Sequence, residues 1–200
     1  TMTDVRRPGR MDPRRPGRVL VVLGACLALV TSSARAADPL CAFDNVERIV
    51  AVGDVHGAYD RFLEILRAAS VVDAAAKWAG GKTHLIQLGD VVDRGPDSRK
   101  VLDLLRQLEK DASKAGGRVH PLIGNHEAMR MLGDFRYTVP GEYAAFAGGD
   151  SSEVRQRFLD NADPAQRAAL LKELPLGKLE MIHDFGRSGP YGDWLRHLNG

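Results

Sequence analysis

Three short clusters carry residue types that can ligate metal ions, meet phosphate oxygens and donate a proton. The first, Gly53-Asp54-Val55-His56-Gly57, sets a carboxylate and an imidazole two residues apart on an irregular loop, so both can turn toward one point. One hard oxygen with one imidazole suits Mn, Fe or Zn better than Ca. In the second, Gly89-Asp90-Val91-Val92-Asp93-Arg94-Gly95, Asp90 stands in the slot that Asp54 holds in the first. Two metal ions about 3.5–4 Å apart need a bridging anion, which a shared carboxylate supplies. Asp93 and Arg94 have two readings: a surface ion pair, or an Arg whose planar fork is held in a tight loop to meet phosphate oxygens. The third cluster, Gly124-Asn125-His126-Glu127, offers a neutral carbonyl ligand in Asn125 and a proton donor in His126. A lone histidine there would be an ordinary helix-start residue; three aligned clusters argue against that.

The elements that position these clusters can be read from periodicity. The runs Arg48–Val52, His84–Leu88 and Val119–Ile123 are β-rich, and each ends in Gly followed by Asp or Asn, the glycines 36 and 35 residues apart. Between them, Phe62, Ile65, Leu66 and Ala69, and then Val101, Leu104, Leu105 and Leu108, recur at helical spacing. Strand, loop and helix repeated in this way predict βαβ units on a largely parallel α/β sheet. In such sheets the ligand crevice lies at the carboxyl ends of the strands, where all three clusters sit. Gly80-Gly81 and Gly116-Gly117 read as turns, and Gly133 to Gly149 as a long loop or cap. Ser152–Asp160 and Pro164–Leu174 read as short helices, the latter with Asp163 as N-cap and Pro164 at N1. Trp194-Leu195-Arg196 falls in a last helix; His84 and His120 read as structural, and His183 and His197 as surface or cap residues.

In this order and spacing, GDVHG, GDVVDRG and GNHE resemble the calcineurin-like metallophosphoesterases, and specifically their phosphoprotein-phosphatase branch. Asp-Arg-Gly and GNHE, in place of GNHD, set the chain apart from a diadenosine-tetraphosphatase-like pattern. Gly189-Pro190-Tyr191-Gly192-Asp193-Trp194-Leu195-Arg196 is similar to a stretch of the bacterial, Shewanella-like phosphatases. The resemblance implies an αββα sandwich, of which this chain would hold the N-terminal part. It implies two divalent ions, manganese first among Mn, Fe and Zn, with Asp54 and His56 on one, Asp90 bridging and Asn125 on the other. Arg94 would hold the phosphate, His126 would protonate the leaving oxygen, and Asp93 would orient His126 and raise its pKa. The nucleophile would be a metal-bridging water or hydroxide acting on a phosphomonoester, on a protein or a small molecule. Two alternatives stay open: a nucleotide hydrolase or phosphodiesterase of the same superfamily, and a non-catalytic metal- or phosphate-binding protein on this fold. The family's further histidines, one within His-Gly-Gly, are not found after GNHE, so the chain reads as truncated beyond Gly200.

Composition narrows the classes. With 44% hydrophobic and 27% charged residues in 200, the chain is neither collagen-like, nor a disulfide miniprotein, nor a disordered acidic tail. The net charge of +2 is misleading as a sign of a polyanion partner. Residues 1–36 hold seven Arg against two Asp, which leaves 21 basic and 24 acidic side chains, or −3, over residues 37–200. No nucleic acid is implied. Arg14, Arg15 and Arg18 precede the apolar run Val19–Val30, and Ala34-Arg35-Ala36 follows. That is the pattern of a secretory signal peptide over residues 1–36, cleaved after Ala36 to leave a domain of residues 37–200. Twelve apolar residues rise about 18 Å as a helix, short of the roughly 30 Å hydrocarbon core, so no span remains after cleavage. The expected location is periplasmic or secreted. A lipoprotein cut at Cys26 is the lesser reading, and Met11 is a plausible initiator. The mature domain would keep one cysteine, Cys41, either an inert thiol or one whose partner lies beyond these residues.

Overall fold

The computed structural model describes residues 43–198; the leader expected over residues 1–36, Cys26, Cys41 and Gly200 lie outside them. Strand β1 (Ile49–Val52), helix α1 (Tyr59–Ala68), strand β2 (His84–Gln87), helix α2 (Ser98–Lys114), strand β3 (Arg118–Pro121) and helix α3 (Asn125–Met131) form three successive βα units. The strands are parallel in the order β1-β2-β3, Ile49 level with His84 and His84 level with Arg118. The α/β class and the parallel sheet agree with the sequence reading. Of the two sheets of the expected sandwich, the described residues hold one.

Side chains alternate across the sheet as the two-residue period requires. Val52, Leu85 and Val119 are buried in one core with Phe62, Leu66, Leu105 and Leu108 of α1 and α2. On the other face Ile49 and Leu88 are 60% and 51% exposed. All four apolar positions expected on α2 are buried. On α1 the buried stripe is Phe62, Leu63 and Leu66, which turns Ile65 to the rim at 42% exposure, against expectation.

Beyond α3 the chain is more helical than its composition suggests. The segment expected as a loop from Gly133 to Gly149 contains α4 (Pro140–Phe146), with Pro140 in its first turn. There Glu142 reaches back to accept the Val139 N–H (3.3 Å), a local carboxylate cap. Then follow α5 (Ser151–Asp160), α6 (Arg167–Glu173), α7 (Lys178–Phe185) and α8 (Pro190–Arg196). Helix α6 starts later than the expected Pro164. The Asp163 carboxylate accepts the Ala165 N–H (2.9 Å), and Arg167 donates to the Asp160 and Ala162 carbonyls, so residues 164–166 form a turn instead. Helix α7 had no counterpart in the sequence reading. Phe146, Phe185 and Tyr191 stack with ring centroids 5.5–5.9 Å apart. Tyr191 Oη donates to Asp103 (2.7 Å) and Trp194 Nε1 to Glu109 (2.8 Å), which ties α8 to α2. Burial raises the pKa of both Tyr191 and Glu109. Among the described residues no helix is long and apolar enough to cross a membrane.

Candidate active site

The three clusters meet at the carboxyl ends of β1, β2 and β3, held there largely by main-chain hydrogen bonds. The Asp90 carbonyl accepts the N–H groups of Val55 and His56 (both 3.0 Å), and the Val91 carbonyl accepts that of Gly57 (2.8 Å). Buried Gln87, at the end of β2, donates from Nε2 to the carbonyls of Gly53 (3.2 Å) and Gly89 (2.7 Å). The Glu127 carboxylate, fully buried, accepts four N–H groups: Asp90 and Gly124 (2.8 Å each) on one oxygen, Val91 (2.8 Å) and Val92 (3.2 Å) on the other. One side chain thus binds the second cluster to the third. Gly89, at φ +89°, lies so close to Gly124 that a Cβ on either would collide with the other loop. Close approach and the left-handed conformation both require glycine at Gly89. Four non-glycine residues of the site also adopt positive φ: His56 (47°), Asp90 (54°), Asp93 (68°) and Arg94 (65°). Such conformations cost about 1–3 kcal/mol each and persist only where the surroundings impose them.

Side chains converge accordingly. His56 donates from Nδ1 to the Val92 carbonyl (2.9 Å), which leaves its Nε2 lone pair facing Asp54 Oδ2 at 3.6 Å. Ligand atoms of His56, Asp90 and His126 lie within 4.8 Å of one another. Asp90 Oδ1 also accepts the His126 N–H (3.0 Å). Asn125 opens α3 beside His126 and is exposed. His126, 2% exposed, donates from Nδ1 to Asp93 Oδ2 (2.8 Å). Arg94 lies across the cluster, its guanidinium donating to Nε2 of His56 (3.1 Å) and of His126 (3.2 Å). The exposed Asp93–Arg94 pair that the sequence allowed does not form: Asp93 is buried and pairs with Arg130, while Arg94 is exposed.

These donors fit a divalent cation. Two imidazole lone pairs already accept from a positively charged group, the Arg94 guanidinium, with carboxylates of Asp54 and Asp90 beside them. The ring proton of His56 is fixed on a carbonyl, as ligating histidines require. A ring nitrogen of His126 lies within 4.8 Å of ligand atoms of His56 and Asp90, at the edge of this cluster, which suits the role of proton donor that the sequence implies for it.

Several residues of the site carried no signal on their own in the sequence. Tyr137 stacks near His126 (5.2 Å between centroids) and accepts the Arg94 N–H at its carbonyl (3.1 Å). Arg130, Thr138 and Glu142 surround Asp93. Burial opposes ionisation of Asp93. The charge of Arg130 and hydrogen bonds from Arg130, His126 and Thr138 outweigh it and hold the pKa below the usual carboxylate value.

Comparison with known proteins agrees with the geometry. The family described as calcineurin-like phosphoesterase matches residues 47–197. Shewanella-like protein phosphatase 2 of Arabidopsis thaliana is 43% identical over 95 residues, 48% of this chain and 24% of that protein. The zinc-dependent endopolyphosphatase of Saccharomyces cerevisiae is 37% identical over 89 residues, 44% of this chain and 23% of that protein. Among solved structures, the cold-active protein-tyrosine phosphatase of a psychrophilic Shewanella species aligns with a TM-score of 0.53 at 35% identity, covering 76% of this chain and 37% of that one. The chain therefore spans about a quarter of the length of these two curated relatives.

Proposed function

Since the chain belongs to the calcineurin-like phosphoesterase family, we propose that it hydrolyses phosphomonoesters in a metal-dependent reaction, a phosphorylated protein or small molecule being the substrate. The observation that carries this reading is the gathering of Asp54, His56, Asp90 and His126 around the Arg94 guanidinium at the sheet's carboxyl edge. Asp54, His56 and Asp90, with Asn125 at the head of α3, are the residues that would hold two divalent ions, manganese first. Bound there, such ions supply a water of lowered pKa and neutralise phosphate charge.

The chain's own residues account for the rest. Arg94 presents two guanidinium nitrogens to the site, a match for two phosphate oxygens. His126 keeps one ring nitrogen on Asp93 and turns Nε2 inward. When protonated, it donates that Nε2 proton to the leaving oxygen as the P–O bond breaks, and the bond's electron pair stays with that oxygen. Asp93 accepts the Nδ1 proton throughout and fixes the plane of the ring. The working form in this reading is an exported domain that begins at Ala37.

The protein supplied with Mn²⁺ should release phosphate from an aryl phosphate. Asp90→Asn should lower kcat on that ester by at least roughly 100-fold, and His126→Asn should do the same on an alkyl phosphate, whose leaving oxygen needs the proton. Near-native rates in both variants would sink the mechanism. Faster turnover of a phosphodiester would favour the nucleotide hydrolase, and tight Mn²⁺ and phosphate binding without turnover a binding protein.

A further inference from the structure

Arg130 is wholly buried, and the reaction proposed above does not use it directly. From Nη2 it donates to Asp93 Oδ1 and to Glu142 Oε1 (3.0 Å). From Nη1 it reaches Met181 Sδ (3.0 Å), and its guanidinium carbon lies 5.1 Å from the ring centre of Phe185 and 5.7 Å from that of Phe135. Glu142 is equally buried. It accepts from Ser98 Oγ and from the Asp93 N–H (3.1 Å), so it clamps both the backbone of Asp93 and the cation that holds the side chain. Thr138 Oγ1 takes a further place on Asp93 Oδ1 (3.0 Å).

These contacts divide the Asp93 carboxylate. Oδ1 is held by Arg130 and Thr138, so only Oδ2 is left for His126 Nδ1. A carboxylate free to rotate would present either oxygen at varying angles; one anchored on a single oxygen aims the other. Asp93 sits at positive φ on a tight loop, a backbone region that non-glycine residues adopt uncommonly, and its carboxylate is held by groups from elsewhere in the chain. Its direction is therefore imposed from outside, by the helices that follow the motifs.

We propose that Arg130 and Glu142 are positioning residues for proton transfer: through Asp93 they orient His126 for donation to the leaving oxygen, with α4 and α7 as their support. The inference rests on the reading of His126 as the acid. A buried guanidinium between two buried carboxylates is a costly arrangement to retain for stability alone, since well-packed apolar replacements often serve as well. Its placement directly behind the His126–Asp93 pair gives it a second role.

The test uses leaving groups. A nitrophenolate departs as a stable anion and needs little help from an acid, whereas an alkoxide needs a proton as it leaves. Arg130→Lys keeps the charge but cannot reach both carboxylates and the sulfur with one planar group. Glu142→Gln keeps the shape and removes the charge. In each variant, kcat for an alkyl phosphate should fall at least roughly tenfold, the lower part of what a positioned acid contributes. The nitrophenyl phosphate rate should fall less than about threefold, with KM for both substrates little changed. Equal losses on both substrates, or no loss on either in folded protein, would overturn the inference. If circular dichroism shows that neither variant folds, Thr138→Val, which removes one contact on the same Asp93 oxygen from a loop, decides it by the same ratio. Failure of the native protein to hydrolyse either ester would overturn the phosphoesterase reading itself, and so is told apart from failure of the positioning role.

Discussion

Glu127 gathers four main-chain N–H groups into one buried carboxylate and so sets the left-handed Asp90 against α3. Glutamine in its place would present an amide N–H₂ to backbone donors, leaving several of them unpaired. Glu127→Gln should therefore cost roughly 1–3 kcal/mol of stability, read from urea unfolding; a loss under about 0.5 kcal/mol, the range of ordinary surface changes, would show that the carboxylate is dispensable. At this scale the sequence was informative in one respect only. Asp54, His56, Asp90, Asp93, Arg94, Asn125 and His126 could be singled out because their types and spacing state a chemistry. Arg130, Glu142 and Thr138 could not, because Arg, Glu and Thr on later segments look like solvated surface until tertiary contacts bury them.

At the level of elements, neighbouring strands create a titrating pair that neither strand shows alone. His84 on β2 and His120 on β3 meet at 3.1 Å on one sheet face, with Phe43 edge-on to both. Burial lowers the pKa of His84, with help from Arg118; burial lowers that of His120, with help from His84 and Arg118. A lowered imidazole pKa means that the unfolded chain takes up the proton more readily. The stability from this pair is therefore fully present above the ordinary value of 6.5 and is lost as pH falls through the lowered folded values. The urea midpoint should rise between acid pH and neutrality, and His120→Val should flatten that rise. An unchanged slope in the variant would assign the pH dependence elsewhere. The strands and α2 were legible because their periods are strong. Helices α4 and α7 were not: α4 begins at a Pro-Gly pair that reads as a turn, and α7 has a mixed face that becomes apolar only where Met181 and Phe185 meet Arg130.

Over the whole molecule, the division of charge supports one reading of its working form. The basic excess lies in residues 1–36 and the acidic balance in residues 37–200, so removal of the leader would change the sign of the net charge. On the proposal that residues 1–36 are a cleaved leader, N-terminal sequencing of the protein recovered from its own cell should begin at Ala37; an acylated start at Cys26 would mark a lipoprotein, and intact residues 1–36 would overturn cleavage. What the sequence determined by itself is local: the residue types from which the proposed metal and phosphate sites are built, the glycines that let the loops touch, and the βα period that brings them to one edge. These follow from short spacings and backbone geometry. What only the tertiary structure decided is which groups surround the proton donor. Arg130, Glu142 and Met181 come from three separate helices, and their meeting behind Asp93 depends on how those helices pack. Packing is set by the mutual fit of distant apolar faces, a property of no single segment.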